Sequence, residues 1–490
     1  MTAGVQSFLD EIPAAMMDTA FKAAKRIQGA SDAIIATHID ADGISAAAIA
    51  GMTLQRLGID FRTMFLKKLD DRAIASLKSD APDLVWLTDL GSGSVSKLQD
   101  IPAVITDHHR PDPDAPQRKA DGQLQLTDFN RVDHVNPHLH GISGASDLSG
   151  AGATFIASMA VAQENADLSP LAILGSVGDL QDQKTRRLEG LNRAVLQLAT
   201  DLGLVEVTED IRYFGRETRP VFKMLEYSSD PYLPHITGRE QESISFLLGL
   251  GIELKVGDTW RTWASFSDDE RRTTIDALRD HLASCGRKDS TIDRLTGEAY
   301  TFVREERGSP VRDVKEFATL LNACGRHGRA EVGMRICAGD RGDALLEGYS
   351  LLRDHRSALR MALDVAKTKG IKRMKHIQYF DAEDEIEETI VGTVAGMLLG
   401  SNSVDRTAPM IAFAESVEPS DVQMVKVSSR GTQELVSRGM DLSVAMREVA
   451  EKVGGVGGGH NIAAGATIPS DRKDEFLERL DALVGSQLHR

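Results

Sequence analysis

The stretch DAIIATHIDADGISAAAIAGMTLQRLG, residues 32–58, decides the fold of the first part of the chain. Residues 32–37 are almost entirely apolar, which predicts a buried β-strand. Residues 43–58 carry Ala, Ile, Leu and Met at helical spacing, which predicts the helix that follows. A short polar cluster separates the two elements. A strand, a polar turn and a helix form the repeating unit of an α/β sheet.

Two further apolar runs repeat this unit within the first 180 residues. Residues 84–88 and 103–106 each follow a proline and end in a cluster of acidic or histidine residues. In open parallel sheets, ligands bind outside the carboxyl ends of the strands, so polar side chains at these ends are placed for chemistry. The sequence therefore predicts an α/β fold with a parallel sheet and a site at the ends of its strands.

The length and composition indicate a folded protein of several domains. A chain of 490 residues suggests roughly three domains, since a domain usually has about 100–200 residues. Hydrophobic residues at 41% and charged residues at 27% are near globular averages, which excludes wholesale disorder and fibrous classes. The net charge of -16 argues against general electrostatic coating of duplex DNA, so any nucleic acid must be bound locally.

The sequence gives no sign of export or membrane insertion. The N-terminal 20 residues contain acidic residues and lack the basic and long apolar regions of a secretory signal. The longest apolar stretches, such as 389–399, are shorter than the roughly 20 residues of a membrane-spanning helix. The absence of a CxxC pair excludes a cysteine-based zinc site, and a cytoplasmic protein without membrane contacts is expected. The cysteines, expected as small core residues, are Cys285, Cys324 and Cys337.

The pattern changes near residue 230, where mixed helical segments with scattered charge begin. They continue to the basic stretch 367–375 and predict an inserted or linking domain, although no motif is recognised between about 230 and 310. An acidic stretch follows at 381–388, which indicates either a charged hinge near residue 376 or two solvated helix faces. The last part alternates apolar segments, passes a glycine-rich stretch and closes with an amphipathic helix, which predicts a separate α/β domain.

The first polar cluster, THIDADG, directly follows the first predicted strand. His38, Asp40 and Asp42 alternate, so in extended geometry their side chains project to one side. Convergence of such groups would shift their pKa values strongly, and a bound divalent cation would remove that penalty. An Asp-rich turn that caps the following helix is the alternative interpretation.

Two more clusters follow the next two predicted strands. Asp89 of the TDLGSG motif ends one strand and is followed by glycines that keep the backbone bare. The TDHHRPD motif supplies Asp107, His108 and His109 after the other strand. Paired histidines beside an aspartate suit Mn²⁺, Zn²⁺ or Fe²⁺, either as ligands or as groups that orient ligands.

A fourth cluster, LGSVGDLQD, ends an apolar segment with Asp179 and Asp182, where helix capping is the alternative role. Together the four clusters supply enough Asp and His for two adjacent metal ions and one bridging carboxylate. Two such ions can clamp the attacking and leaving oxygens of a phosphoryl displacement. No GxSxG, HExxH or P-loop motif offers a competing chemistry.

These four motifs resemble, in order and approximate spacing, those of the DHH phosphoesterase family, and the chain is identified as similar to its archaeal RecJ-like members. The resemblance implies two metal ions with one shared carboxylate. The implied ligands are His38 and Asp40 for one ion, Asp42, His108 and Asp179 for the other, and Asp89 as the bridge. His109 would face the scissile phosphate, and Asp107 would orient His108 rather than bind a metal.

The segment VNPHLHGISGASDLSGAG, residues 135–152, is similar to the family's stretch between the third and fourth motifs. Asn136 is implied there as a substrate contact, and the small residues open a helix whose N-terminus could approach a phosphate. The additional histidines of this region are interpreted as rim or solvent residues; they are His134, His138 and His140.

The segment GGVGGGHNIAAG, residues 454–465, resembles the GGGH motif of the DHH-associated C-terminal domain. Bare backbone amides beside one donor side chain can hold a phosphate, although glycines at this density are also typical of a flexible turn. The implied substrate contacts are Gly457, Gly458, Gly459 and His460, with Ser428 and Arg430 as further phosphate partners.

The stretch EFATLLNACGRHGRAEVG, residues 316–333, resembles a segment of archaeal RecJ-like proteins. Arg326 and Arg329 within it could line a groove that binds a nucleic-acid strand. Ordinary surface arginines are the alternative interpretation.

The resemblance implies three domains, with the active site in the cleft between the first and the last. They are a DHH catalytic domain at 1–215, an inserted or linking region at 216–375 and a smaller α/β DHH-associated domain at 376–490. A two-metal exonuclease on single-stranded DNA or RNA is expected, with Mn²⁺ favoured over Mg²⁺ and with GINS or other replisome proteins as implied partners. The alternatives are a phosphodiesterase or phosphatase on very short oligonucleotides or cyclic dinucleotides, and a non-catalytic replisome scaffold.

Overall fold

A computed structural model describes residues 3–114, 132–400, 404–416 and 422–488 of the chain. The chain divides into two units, Met1–Leu352 and Arg353–Arg490. Every helix in the described part of the chain is too short or too polar to span a membrane. The predicted domain boundaries after residues 215 and 375 remain predictions.

Five parallel strands form the first sheet of the first unit. They are β1 (Asp32–His38), β2 (Asp60–Leu66), β3 (Leu84–Thr88), β4 (Ala103–Thr106) and β5 (Val132–Val135). Their order across the sheet is β2-β1-β3-β4-β5. β3 and β4 are buried along their whole length, as their apolar sequences require for strands covered on both faces. The strand order changes direction at β1, because β2 lies on one side of it and β3 on the other. In open α/β sheets, ligands bind at the carboxyl ends of the strands at such a point.

The helices of this part include one that is buried along most of its length. They are α1 (Ala3–Glu11), α2 (Ala14–Gln28), α3 (Ala41–Leu57), α4 (Asp71–Asp80), α5 (Gly150–Val161), α6 (Ser169–Gly178) and α7 (Gly190–Asp201). Residues 41–50 of α3 are all buried, and their mostly short side chains let α5 and α6 pack directly against it. The N-terminal end of α3, which carries the first polar cluster, is therefore held in place by two neighbouring helices.

Residues between Ile211 and Leu295 of the middle region form a separate hydrophobic core, whereas later residues of the region join the core around the helices of the first sheet. Its elements are β6 (Val205–Ile211), α8 (Val221–Glu226), α9 (Glu240–Gly249), β7 (Lys255–Val256), β8 (Thr259–Trp260), α10 (Asp268–Ser284), α11 (Asp289–Ile292), β9 (Thr296–Phe302), α12 (Val314–Arg326), α13 (Ala330–Cys337) and α14 (Asp343–Lys369). β6 and β9 pair antiparallel. α12 packs against α3 and α6, so the chain returns to the helices of the first sheet.

The second unit contains a mixed sheet of six strands, in the order β10-β11-β12-β13-β15-β14. Its elements are β10 (Lys372–Arg373), β11 (Gln378–Asp381), α15 (Val391–Gly400), β12 (Met410–Glu415), β13 (Met424–Arg430), α16 (Gln433–Ser437), α17 (Leu442–Lys452), β14 (Val456–Gly459), β15 (Ala463–Pro469) and α18 (Lys473–Leu488). α14 runs across the boundary between the units. Two separate hydrophobic cores include side chains of this sheet.

The predicted fold class is confirmed, with an N-terminal parallel sheet, a middle domain and a smaller C-terminal α/β domain. The hinge predicted near residue 376 stays a prediction, and the backbone N–H of that residue donates to Asp481 Oδ1 of α18 at 2.7 Å. One local prediction is wrong. Cys324 and Cys337 are buried as predicted, but Cys285 is only half-buried at the end of α10.

Candidate metal centre

Acidic and histidine side chains converge at the carboxyl ends of β1, β3 and β4 in three overlapping groups. Within each group, one ligand atom of every member lies within 4.8 Å of the others. The groups are His38, Asp40 and Asp89; Asp42, His108 and Asp179; and Asp89, Asp107, His108 and His109. The structure thus brings together the six side chains predicted as metal ligands and the two further residues predicted to be catalytic.

The segment after β1 forms the first group. His38 Nδ1 lies 2.9 Å from Asp40 Oδ2 and 3.6 Å from Asp89 Oδ2. The Asp40 carboxylate also caps α3, because it accepts a hydrogen bond from the backbone N–H of Gly43 at 3.0 Å. The predicted extended geometry is wrong: the strand ends at His38 and the helix begins at residue 41. Asp42 therefore lies on the first turn of α3 and joins a different group.

Asp42 is held by the N-terminus of α5. Its two carboxylate oxygens accept hydrogen bonds from Gly150 N at 2.8 Å and Ala151 N at 2.9 Å. The positive end of a helix stabilises an anion placed in this way. This helix N-terminus was predicted to approach a phosphate, but its first two amides donate to a carboxylate of the chain itself. Phosphate binding at this helix stays a prediction.

Asp89 lies between the groups and is 2% exposed. Its Oδ2 is 3.6 Å from His38 Nδ1, whereas its Oδ1 is 3.2 Å from His108 Nε2. The residue has a φ of 56°, a left-handed conformation that costs a non-glycine residue about 1–3 kcal/mol. Gly150 packs directly against it, since a Cβ at that position would lie 2.5 Å from Asp89 Oδ1. The fold thus holds this carboxylate in a strained position with its two oxygens facing different histidines.

The His108 ring is oriented by a backbone carbonyl. Its Nδ1 lies 2.5 Å from Gly144 O, so Nδ1 carries the proton and Nε2 is left to face Asp42 and Asp89. A Cβ on Gly144 would lie 2.0 Å from His108 O, which makes glycine necessary at this close approach. Gly144 is a functional position that the sequence analysis did not single out, because it acts through its backbone.

Asp107 orients His109 rather than the ring of His108, which corrects the predicted role. Its Oδ1 is 2.7 Å from His109 Nδ1, and its Oδ2 accepts a hydrogen bond from Ser92 N at 2.9 Å. Burial raises the pKa of Asp107, but His109 and these hydrogen bonds outweigh it and hold the pKa well below its ordinary value. Burial lowers the pKa of His109, but the Asp107 carboxylate raises it to about 9. The half-exposed His109 ring is therefore a donor.

Asp179 and Asp182 have different environments although both lie in the fourth cluster. Asp179 lies 3.7 Å from His108 Nδ1 and accepts a hydrogen bond from Gln181 Nε2 at 2.9 Å. Asp182 is buried and pairs with Arg212 Nη2 at 2.7 Å, outside the three groups. Gln181 also donates to Gly144 O at 3.0 Å, so it connects two supports of the site. The sequence did not single out Gln181, although its position between Asp179 and Asp182 in a mostly apolar segment could have indicated a role at the site.

Both the ligand atoms and the electrostatics of the three groups suit divalent cations. Burial and the Asp89 carboxylate raise the pKa of Asp42 well above its ordinary value, and burial raises that of Asp179. Asp89 Oδ1 and His38 Nδ1 are buried and make no hydrogen bond of acceptable geometry within the described residues. Carboxylate and imidazole ligands suit divalent ions, and such ions would replace the protons that these groups otherwise need.

Asn136 and His134 use their polar side-chain atoms in hydrogen bonds within the protein. Asn136 is fully buried, and its Nδ2 donates to His109 O at 2.8 Å and Ser92 Oγ at 2.7 Å. It therefore positions the His109 backbone, whereas the predicted substrate contact would need an accessible atom. His134 is partly buried, and its Nε2 lies 2.8 Å from the same serine hydroxyl, so it is not a solvent residue. His138 is exposed, as predicted, and His140 is half-buried.

In the second unit, the glycines of the predicted phosphate loop form a strand. Val456–Gly459 is β14, at the edge of the sheet, and His460 is exposed in the turn that leads to β15. Ser428 and Arg430 project from β13 towards Gly392, where a Cβ would lie 2.7 Å from Arg430 Nη2 and 3.1 Å from Ser428 Oγ. Their binding of substrate remains a prediction, and so does the cleft between the first and last domains.

The two arginines of the 316–333 segment have different surroundings. Arg326 lies at the end of α12, where burial lowers its pKa and the charge of Asp40 raises it. Arg329 pairs with Glu331 at 2.7 Å and with Glu347 at 2.5 Å. Arg326 is thus the member of the pair that lies close to the metal centre.

Comparisons with known proteins agree with this arrangement. Models of the DHH family N-terminal domain, the DHH-CID domain and the DHHA1 domain match residues 32–173, 213–296 and 374–486. The second of these covers most of the region in which the sequence analysis recognised no motif. An uncharacterized protein of Methanocaldococcus jannaschii is 28% identical over 464 residues, which are 93% of this chain and 94% of that protein.

Solved structures show the same fold at low sequence identity. RecJ in complex with Mn²⁺ from Thermus thermophilus matches 97% of this chain at 16% identity, with a TM-score of 0.57, and the chain spans 55% of that protein. CDC45 from Entamoeba histolytica matches 96% of this chain and 99% of its own at 11% identity, with a TM-score of 0.61. Because all three domain models match in this order, the chain belongs to the DHH family of metal-dependent phosphoesterases and has a RecJ-like fold.

Proposed function

We propose that the protein is an exonuclease that hydrolyses phosphodiester bonds of single-stranded DNA or RNA by a two-metal mechanism. The position of Asp89 carries the proposal, because its two oxygens face His38 at 3.6 Å and His108 at 3.2 Å, which belong to separate ligand groups. A carboxylate between two ligand groups is what a bridged pair of ions requires. Solved structures of exonuclease RecJ bound to manganese and of RecJ with Mg²⁺ support the choice of reaction and ions.

Two bound divalent ions would supply an activated hydroxide and would stabilise charge on the attacking and leaving oxygens. The chain's own residues have separate tasks. The Gly144 carbonyl keeps the proton of His108 on Nδ1, so that Nε2 stays a ligand. His109 has its Nδ1 engaged with Asp107, which leaves Nε2–H as the donor to a phosphate oxygen. We favour Mn²⁺ over Mg²⁺ because imidazoles stand among the carboxylates.

Digestion of end-labelled 5-mers and 30-mers of DNA and RNA tests this proposal. After exhaustive chelation we expect no hydrolysis, and added Mn²⁺ should restore stepwise shortening of the 30-mer. Hydrolysis confined to the 5-mer would favour the alternative of a phosphodiesterase for short oligonucleotides. Absence of hydrolysis with both ions bound would contradict the proposal and favour a non-catalytic scaffold.

We also propose, from the resemblance to archaeal RecJ-like proteins, that replisome proteins such as GINS bind this chain. Co-elution of purified GINS with the protein in gel filtration is the expected result. Separate elution with both proteins at high micromolar concentrations would contradict it.

A further inference from the structure

A pocket of about 300 Å³ lies in the first unit, between the helices of the metal centre and the middle region. One wall is the end of α6, with residues on both sides of Asp179. Another wall is α12, where Asn322 Oδ1 accepts a hydrogen bond from Ala41 N at 3.0 Å, in the segment that forms the first ligand group. The pocket therefore shares two walls with the metal centre.

The opposite wall carries aromatic side chains in a chain that has few of them. Aromatic residues make up 5% of the sequence, yet Phe214 and Tyr227 both line this pocket. The Arg219 guanidinium stacks on both rings, 4.5 Å from the centroid of Phe214 and 5.2 Å from that of Tyr227. Tyr227 is 53% exposed, so a large part of its surface is accessible. Such a stacked surface accepts any nucleic-acid base, because every base has a π-face.

The charge of the pocket is opposite to that of the chain. The chain has a net charge of -16, whereas the pocket is lined by several basic side chains and one acidic one, Asp230. Arg212 is committed to its buried partner Asp182. The pair of Arg294 and Asp230, at 2.9 Å, is exposed, and such pairs contribute little, so Arg294 can exchange its partner for a phosphate. Arg186 lies on the same lining.

We propose that this pocket is a nucleotide-binding subsite of the metal centre. It holds one unpaired base against Tyr227 and Phe214 and the adjacent phosphate near Arg294 and Arg186. The inference rests on the proposed exonuclease function and adds a contact beyond the scissile phosphate. The volume is at the lower end of the roughly 300–1,000 Å³ of ligand pockets, which is the size expected for one nucleotide.

Kinetics on a six-nucleotide oligothymidylate test the subsite. For Tyr227→Ala we expect KM to rise about tenfold, whereas Tyr227→Phe keeps the stacking ring and should stay near the wild-type value. For Arg294→Gln we expect a smaller rise and a shallower dependence of KM on salt. Phe21→Ala and Arg272→Gln are matched controls, since both side chains are exposed and lie outside the pocket, and they should leave KM unchanged.

Direct binding of the same oligonucleotide in EDTA separates the subsite from the exonuclease proposal. If the wild type hydrolyses the oligonucleotide but Tyr227→Ala and Arg294→Gln change neither KM nor affinity, the subsite is refuted and the exonuclease proposal stands. If the wild type binds the oligonucleotide in EDTA but does not hydrolyse it with added Mn²⁺, and both variants weaken binding, the exonuclease proposal fails and the subsite stands. If the wild type neither binds nor hydrolyses it, the subsite is refuted, and the DNA and RNA 30-mers decide the exonuclease proposal.

Discussion

The carboxyl ends of the first sheet and the glycine-rich edge strand of the second sheet were both predicted as substrate-facing sites, yet they are built in opposite ways. At the first, six ionisable ligands converge, and Asp42 and Asp89 are almost fully buried. At the second, β14 offers backbone and the exposed His460, without a buried acidic group among its residues. The first site therefore requires a ligand for electrostatic reasons, whereas the second is stable without one.

This difference shows what a structure alone can specify. Burying carboxylates costs free energy unless protons or cations neutralise them, so their convergence indicates that the site binds positive charge. The backbone N–H and C=O groups of the glycine-rich edge strand pair with β15 on one side and face solvent on the other. This strand is stable without a ligand, so only a binding experiment can identify what it binds. The variants below test each site, in order of decreasing expected effect on hydrolysis.

Asp89→Ala should have the largest effect. We expect hydrolysis to fall by several orders of magnitude, because the carboxylate faces both ligand groups and its loss disorders both ions. Turnover on the 30-mer and metal content by mass spectrometry measure the effect, and the far-ultraviolet circular dichroism spectrum should be unchanged. More than about a tenth of wild-type turnover with two bound ions would contradict the bridging role.

Gly144→Ala should reduce turnover by roughly 10–100-fold, as expected when a group that orients a metal ligand is displaced. The added Cβ would lie 2.0 Å from His108 O and must move the carbonyl that fixes the imidazole. Gly249→Ala is the matched control, because a Cβ there meets nothing within 4 Å. Equal kinetics of the two variants would refute the role of the Gly144 carbonyl.

His460→Ala should weaken binding of a 30-mer by about tenfold, the loss of one charge-assisted contact. Binding is measured by fluorescence anisotropy at several salt concentrations, and the slope of affinity against salt should be shallower in the variant. Unchanged affinity and slope would show that β14 and its turn are structural only.

Asp182→Asn should have the smallest effect on hydrolysis and a clear one on stability. The substitution leaves the buried Arg212 without its charged partner, which costs about 3–5 kcal/mol of unfolding free energy when such a pair is broken. Urea denaturation measures the change. A loss of bound metal in this variant would instead place Asp182 in the centre beside Asp179.

The sequence was sufficient for the parallel sheet and for the set of converging side chains, since strand-end positions follow from the α/β pattern alone. It was insufficient for the geometry of residues 38–42, because the alternation of polar residues does not reveal that the strand stops at His38 and the helix starts three residues later. Asp42 reaches its group from a helix turn, which no period-2 pattern describes.

The remaining errors involve contacts that no local pattern marks. Asp107 was predicted to orient His108, the next residue, but its carboxylate contacts the ring of His109, two residues away. Gly144 acts on His108 through its carbonyl from 36 residues away in sequence, and Gln181 donates to that same carbonyl from 37 residues further along the chain. The glycines 457–459 favoured a turn by composition, but pairing with β15 decides that they form a strand.

Anomalous diffraction from crystals grown with Mn²⁺ tests the central claim most directly. We predict two manganese peaks about 3.5–4 Å apart, with the Asp89 carboxylate between them. One peak should have His38 and Asp40 as ligands, and the other Asp42, His108 and Asp179. A single peak, or two peaks that do not share Asp89, would contradict the two-metal centre.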